Sequence, residues 1–188
     1  MTLSKDGAVP SEVYIEACET YQKQSYRNRC LILGSGGPET LRIPVVHAPD
    51  MSIRKVRVDY STPWVIRTER ALSTAYETSA FFEYYAPELF ELLESEEPML
   101  WDLNLRLTEW CALKAGIACR LVPTTSFTAP GSTEDDFRFS IHPKKPLPDL
   151  GLKPWYQVFR DRAGGFTPGL SILDLLFNEG PDSLSHLI

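Results

Sequence analysis

Between Glu16 and Arg29 the chain concentrates side chains that do chemistry. Glu16 is followed by Tyr21-Gln22-Lys23-Gln24-Ser25-Tyr26-Arg27-Asn28-Arg29. The guanidinium groups of Arg27 and Arg29 suit a phosphate or carboxylate, which they grip through paired hydrogen bonds, and Lys23 adds a third positive charge. Tyr21 and Tyr26 offer flat packing surface and hydroxyl donors. Glu16 either balances the positive charge or works as an acid/base group. Two readings of this segment stand. It is an anion-binding loop beside strand ends, or its charges pair with an acidic helical face and bind nothing. Further along, Glu134-Asp135-Asp136 is a short acidic run. It is a solvated loop end, unless Asp136 orients Arg138 or takes a substrate hydroxyl.

Other chemistries lack their residues. There is no G-x-S-x-G elbow, and the histidines are His47, His142 and His186. A pair such as Cys30 with His142 is the remaining route to a thiol nucleophile, against the commoner inert buried thiol. No H-E-x-x-H, cysteine cluster or Asp-rich loop points to a metal. Gly34-Ser35-Gly36-Gly37-Pro38 is glycine-rich, but no Lys-Ser or Lys-Thr follows and a strand comes next, so it reads as a turn.

The elements that must position these groups follow from periodicity. Val13-Tyr14-Ile15, Cys30 to Leu33 and Thr40 to Val46 read as strands, residues 28–46 forming a hairpin with a long loop. Lys55 to Tyr60 alternates as a half-buried strand. A helix follows Pro63 with Thr62 as its N-cap, a second opens at Pro87, and a third follows Pro98 and stops at Gly116. Between them, the aromatic run Phe81, Phe82, Tyr84 and Tyr85 reads as core. Ala118 to Val122 and Phe137 to Ile141 read as further strands, and residues 143–154 as a surface linker. The pattern of 155–159 fits a short strand or a short helix. Ser171 opens the last helix with Asp174 as its capping-box partner, and Gly180-Pro181 ends it. Strands, helices, strands and a helix in this order imply a single α+β (mixed α/β) domain over 1–188, with one mixed β-sheet and helices packed on it.

The chain has 188 residues, 43% of them hydrophobic and 11% aromatic, enough for a sizeable core. Its net charge of −6 argues against a nucleic-acid partner. No apolar run reaches the length of a membrane span, and Met1 to Pro10 has no signal-peptide pattern. The four cysteines are then reduced, partly buried thiols and the expected compartment is the cytoplasm.

Several motifs resemble the WbqC-like family of bacterial proteins in the same order. They are Tyr21 to Cys30, Ile43-Pro44-Val45, Asp59-Tyr60 with Trp64, and Ser79-Ala80-Phe81-Phe82-Glu83-Tyr84-Tyr85. Tyr156-Gln157-Val158-Phe159, Gly165-Phe166 and Leu170 to Gly180 complete the set. The resemblance covers nearly everything from Val13 onward. Members of the family open with an extra strand and a Tyr/Pro-rich turn, where this chain has only Met1 to Pro10, so a site lined by that turn would be incomplete here.

The resemblance implies a cytoplasmic step in bacterial surface-polysaccharide synthesis, as a transferase acting on an activated sugar or on its acyl or aminoacyl donor. In that reading Lys23, Arg27 and Arg29 hold the anionic group, Asn28 and Gln157 orient polar groups, and Glu16 or Asp59 handles a proton. The alternative is a non-catalytic domain that binds an anion or an acidic protein partner. A small-molecule anion is the expected ligand in the first case; the residues name no cofactor and no oligomeric state.

Overall fold

The computed structural model describes residues 11–133 and 135–188. Strand β1 (Glu12–Ile15) leads into the Tyr21–Arg29 segment, which ends in a short 3-10 turn over Tyr26–Asn28. Strands β2 (Arg29–Gly34) and β3 (Gly37–Arg42) form the expected hairpin, but around the two-residue loop Ser35-Gly36 and not a long loop, because the pairing runs on to Gly34 and Gly37. Gly37 has a φ of 110°, which supplies the hand such tight turns need. Helices α1 (Trp64–Tyr76), α2 (Phe82–Glu94) and α3 (Leu100–Lys114) follow, then β4 (Arg120–Pro123). The chain closes with α4 (Ile172–Glu179) and the single turn α5 (Ser183–Leu187).

The class is α+β, but among the described residues the strands do not gather into one sheet. β1 pairs in parallel with β4, and β2 pairs antiparallel with β3, as two separate two-stranded sheets. The expected strand at 55–60 explains the division. Val56 and Val58 are buried and Arg57 is exposed, as the alternation requires. The segment nonetheless meets its neighbours only through single bridges, Val45 with Val58 and Arg57 with Met99. Pro44 and Pro98 accept from Asp59 and Val58 there, yet have no N–H to give back, so neither ladder extends.

The core lies between the helices and one face of the hairpin. Ile32 and Leu41 from the hairpin meet Leu72 and Tyr76 of α1, Phe82 and Leu89 of α2, Leu100 and Leu103 of α3, and Leu176 and Phe177 of α4. Phe177 packs against both Tyr76 and Phe82, with ring centroids 5.1 Å apart in each pair.

Three element boundaries differ from expectation. Pro63 itself occupies the N-cap of α1, and Thr62 makes no side-chain cap. α2 begins at Phe82 and carries Pro87 inside it, on an exposed face, because Phe82, Ala86, Leu89 and Leu93 form one continuous buried stripe. Of the aromatic run, Phe82 is core while Tyr84 is largely exposed. Residues 137–141 form turns instead of a strand. The Asp136 carboxylate accepts from the Arg138 backbone N–H, a local bond that competes with ladder formation. Residues 155–159 form neither strand nor helix.

Candidate functional site

The exits of β1 and β4 build the site. Glu16 leaves β1 almost fully buried and accepts from four donors. The Cys18 backbone N–H lies at 2.8 Å, Thr124 Oγ1 at 2.9 Å, the Thr128 N–H at 3.0 Å and Arg138 Nη1 at 3.3 Å. Burial works to raise its pKa, and these donors overcome burial and hold the carboxyl below the usual range. Arg138 closes the network. It grips Asp136 through Nε and Nη2 at 2.8 and 2.6 Å and donates from Nη1 to the Thr128 carbonyl at 2.7 Å. The Arg138 guanidinium drives the Asp136 pKa far down, helped by the Gly131 N–H. Loop 124–138 is thereby fastened to the end of β1.

Above this network lies a cleft of about 290 Å³, walled by Tyr21, Phe127, Phe139 and Pro130, with Glu19 and Arg138 as its charged members. Tyr21 and Gln22, at the start of the Tyr21–Arg29 segment, complete its lining. Ser25 donates to the Gln22 carbonyl at 2.7 Å and caps the 3-10 turn, and Gln24 takes a φ of 60° in the tight loop. Arg27 is held bidentately by Glu19, with both contacts at 2.6 Å. Its carbonyl accepts from Asn104 of α3 at 2.7 Å. Arg27 therefore pairs with a nearby loop carboxylate and not with an acidic helix. The acids of that stretch have other partners: Glu88 takes Lys114 and Trp110, and Glu97 takes Arg106.

Tyr21 joins two environments. It is buried against the core and lines the cleft, while the guanidiniums of Arg29, Arg42 and Arg27 act on its phenol. Burial raises the phenol pKa and the three arginines oppose that rise. Arg29 donates from Nε to the Ser25 carbonyl at 3.1 Å. Arg42 stands directly opposite Arg29 across the hairpin. Among the described residues, neither has a carboxylate partner.

The structure brings Glu16, Tyr21, Arg27 and Asp136 into one neighbourhood, with Lys23 exposed at its margin. Arg29 stands beside Tyr21 at the hairpin base, and Asn28, Asp59 and Gln157 are set apart from the cleft. Asn28 is buried and donates to the Ile43 carbonyl at 2.8 Å, which fixes the hairpin base. Asp59 accepts from the Ser61 N–H at 2.9 Å, a turn contact that lowers its pKa. Gln157 is buried, bonding both backbone groups of Thr167 and the Asp174 carboxylate. Ser171 does cap α4, but Asp174 is not its capping-box partner. Its carboxylate is fully buried and accepts from Trp155 Nε1 at 2.7 Å, Gln157 Nε2 at 2.9 Å and Tyr76 Oη at 3.0 Å. With no cation beside it, burial raises its pKa. Glu134 lies outside the described residues.

The thiols of Cys30 and Cys111 are poor nucleophiles. Burial raises Cys30 and pushes Cys111 up to about 12. Among the described residues, no three His, Cys, Asp or Glu side chains gather to hold a metal ion. No helix there is long and apolar enough to cross a membrane.

Sequence reasoning missed Glu19, Phe127, Phe139 and Arg42. Only Arg42 left a signal: counting outward from Ser35-Gly36 places it opposite Arg29. The model of the WbqC-like protein family matches residues 10–143. The chain belongs to the WbqC-like family. It is also similar to "Uncharacterized protein Rv1507c" of Mycobacterium tuberculosis, 29% identical over 193 residues, which cover 89% of this chain and 83% of that protein. No solved structure matches. The family's match spans β1, the Tyr21–Arg29 segment, the hairpin and loop 124–138, so every residue of the cleft falls within it.

Proposed function

We propose that this WbqC-like protein binds a small organic molecule carrying an anionic group. The observation that carries the reading is the placement of Tyr21, which lines the aromatic cleft and whose phenol lies under the influence of Arg29 and Arg42. An apolar or planar part of the ligand fits between Tyr21, Phe127 and Phe139, and its charge is met by the arginines that have no carboxylate partner. Lys23 is an exposed cation next to Gln22 of this site.

An activated sugar, or an acyl or aminoacyl donor, has the required make-up, so transfer from such a donor in bacterial surface-polysaccharide synthesis is the enzymatic form of the proposal. Glu16 and Asp59 are its proton-handling candidates. The state of the carboxylates favours the binding form. Glu16, Glu19 and Asp136 are each engaged by an arginine, and Glu16, Asp59 and Asp136 have lowered pKa values, where a general base at neutral pH needs a raised one.

A thermal-shift panel of nucleotide-sugars, acyl-coenzyme A donors, amino acids and simple phosphates tests this. At a hundredfold excess over Kd, a true ligand raises Tm by about 5 °C or more. The shift is expected with one anionic class and is expected to shrink in Tyr21→Ala. No shift with any class, together with a lower Tm for the variant alone, would make Tyr21 a core residue and remove the proposal.

A further inference from the structure

Arg29 and Arg42 are directly opposed across the β2–β3 hairpin, so their side chains leave the same face. Opposed residues on antiparallel strands sit about 5 Å apart at Cα, and like charges so placed repel. Nothing local relieves them. Arg29 spends only its Nε on the Ser25 carbonyl, and Arg42 is exposed at the strand end. The same face carries Leu31, which floors a second cleft of about 140 Å³ lined also by Tyr26, His142 and Lys145. Among the described residues, none lining that second cleft is a carboxylate. In a chain of net charge −6, this side of the hairpin gathers cations, and among the described residues no acid lines it.

We propose that Arg29 and Arg42 form a clamp for a doubly charged phosphoryl group, so that the ligand is a phosphate-bearing small molecule and not a simple carboxylate. This rests on the anion-binding reading above and specifies it. A tetrahedral dianion presents oxygens in several directions and satisfies two facing guanidiniums at once, each through paired N–H groups. A carboxylate carries one charge in one plane and neutralises only one of them. Tyr21, which lines the aromatic cleft and whose phenol feels the charge of both arginines, links the clamp to that cleft.

Phenyl phosphate and benzoate separate the two ideas, because both carry a ring for the cleft and differ in the anion. Calorimetric titration of the full chain at pH 7.5 is expected to give phenyl phosphate about tenfold or more the affinity of benzoate. In Arg42→Gln the two affinities are expected to converge, with benzoate changed by less than about threefold. The same variant without ligand should melt no lower than the wild type, since a repulsive pair is relieved. The wild type gives a second measurement that needs no variant. Lowering the pH to 5 removes the second charge of phenyl phosphate, whose second pKa is near 6, and should weaken it several-fold relative to benzoate. Equal affinities at pH 7.5, or a phosphate preference that survives in Arg42→Gln, would overturn the clamp and leave the anion site standing. Failure of both probes to bind at millimolar concentration would overturn the clamp and the anion site together.

Discussion

Glu16 shows how a residue chosen for chemistry acquires a structural role. It is a buried carboxylate, as a catalytic acid often is, but its four donors and lowered pKa make it an anchor. Glu16→Gln puts an amide N–H against the Thr128 N–H and the Arg138 guanidinium, and should cost about 2 kcal/mol because buried donors lose a charged acceptor. A urea unfolding curve measures this, and an unchanged midpoint would contradict the anchoring role. Asp136 was legible as a partner of Arg138, since an acid two residues from an arginine at a loop end can fold back on it. Lys23, Arg27 and Arg29 read as one cluster and behave as three different residues. Arg27 is neutralised by Glu19, Arg29 faces another arginine, and Lys23 is exposed. Linear spacing cannot separate them, because the separation depends on Glu19 curling back and on the register of the hairpin.

At the scale of elements, the hairpin and the helices were legible because each carries its own period and its own stop. The strand expected at 55–60 failed because its backbone hydrogen bonding was settled by neighbours distant in sequence, whereas residues 137–141 lost theirs to a bond two residues away. Val56 and Val58 alternate correctly, yet Pro44 and Pro98 stop a ladder on either side. The joint between α4 and α2 is another distant contact. Gly180 ends α4 with a φ of 54°, and a Cβ there would stand 2.5 Å from the Phe81 ring. The Phe81 N–H donates to the Phe177 carbonyl beside it, so the ring has little freedom to withdraw. Gly180→Ala is therefore expected to destabilise the fold by about 2–4 kcal/mol, through a clash combined with a left-handed backbone. Chemical denaturation checks this, and a loss below about 0.5 kcal/mol would mean the α4–α2 joint is loose.

For the whole molecule, two carboxylates with opposite shifts shape the dependence of stability on pH. Asp136 has a folded pKa below its unfolded value near 4, so its contribution is present above about pH 4 and is lost as pH falls further. Asp174 has a folded pKa above that value. Its contribution is complete below about pH 4 and is lost as pH rises through the raised folded pKa. Asp174→Asn should therefore flatten the decline in stability on the neutral side of pH 4, and Asp136→Asn should flatten the decline on the acid side. Unfolding free energies measured from pH 3.5 to 7 test both, and an Asp174→Asn curve parallel to the wild type throughout would refute the first. The sequence by itself determined the α+β class, the hairpin, the capped C-terminal helix and the family, because these rest on local periodicity, turn chemistry and ordered motifs. Only the tertiary structure decided which charges are spent and which are left over. It carried Glu16 to Arg138 and drew Asp174 into contact with Tyr76, Trp155 and Gln157. It also set Arg29 against Arg42. Electrostatic pairing depends on distance in space, and residues more than a hundred positions apart meet at this site as readily as neighbours.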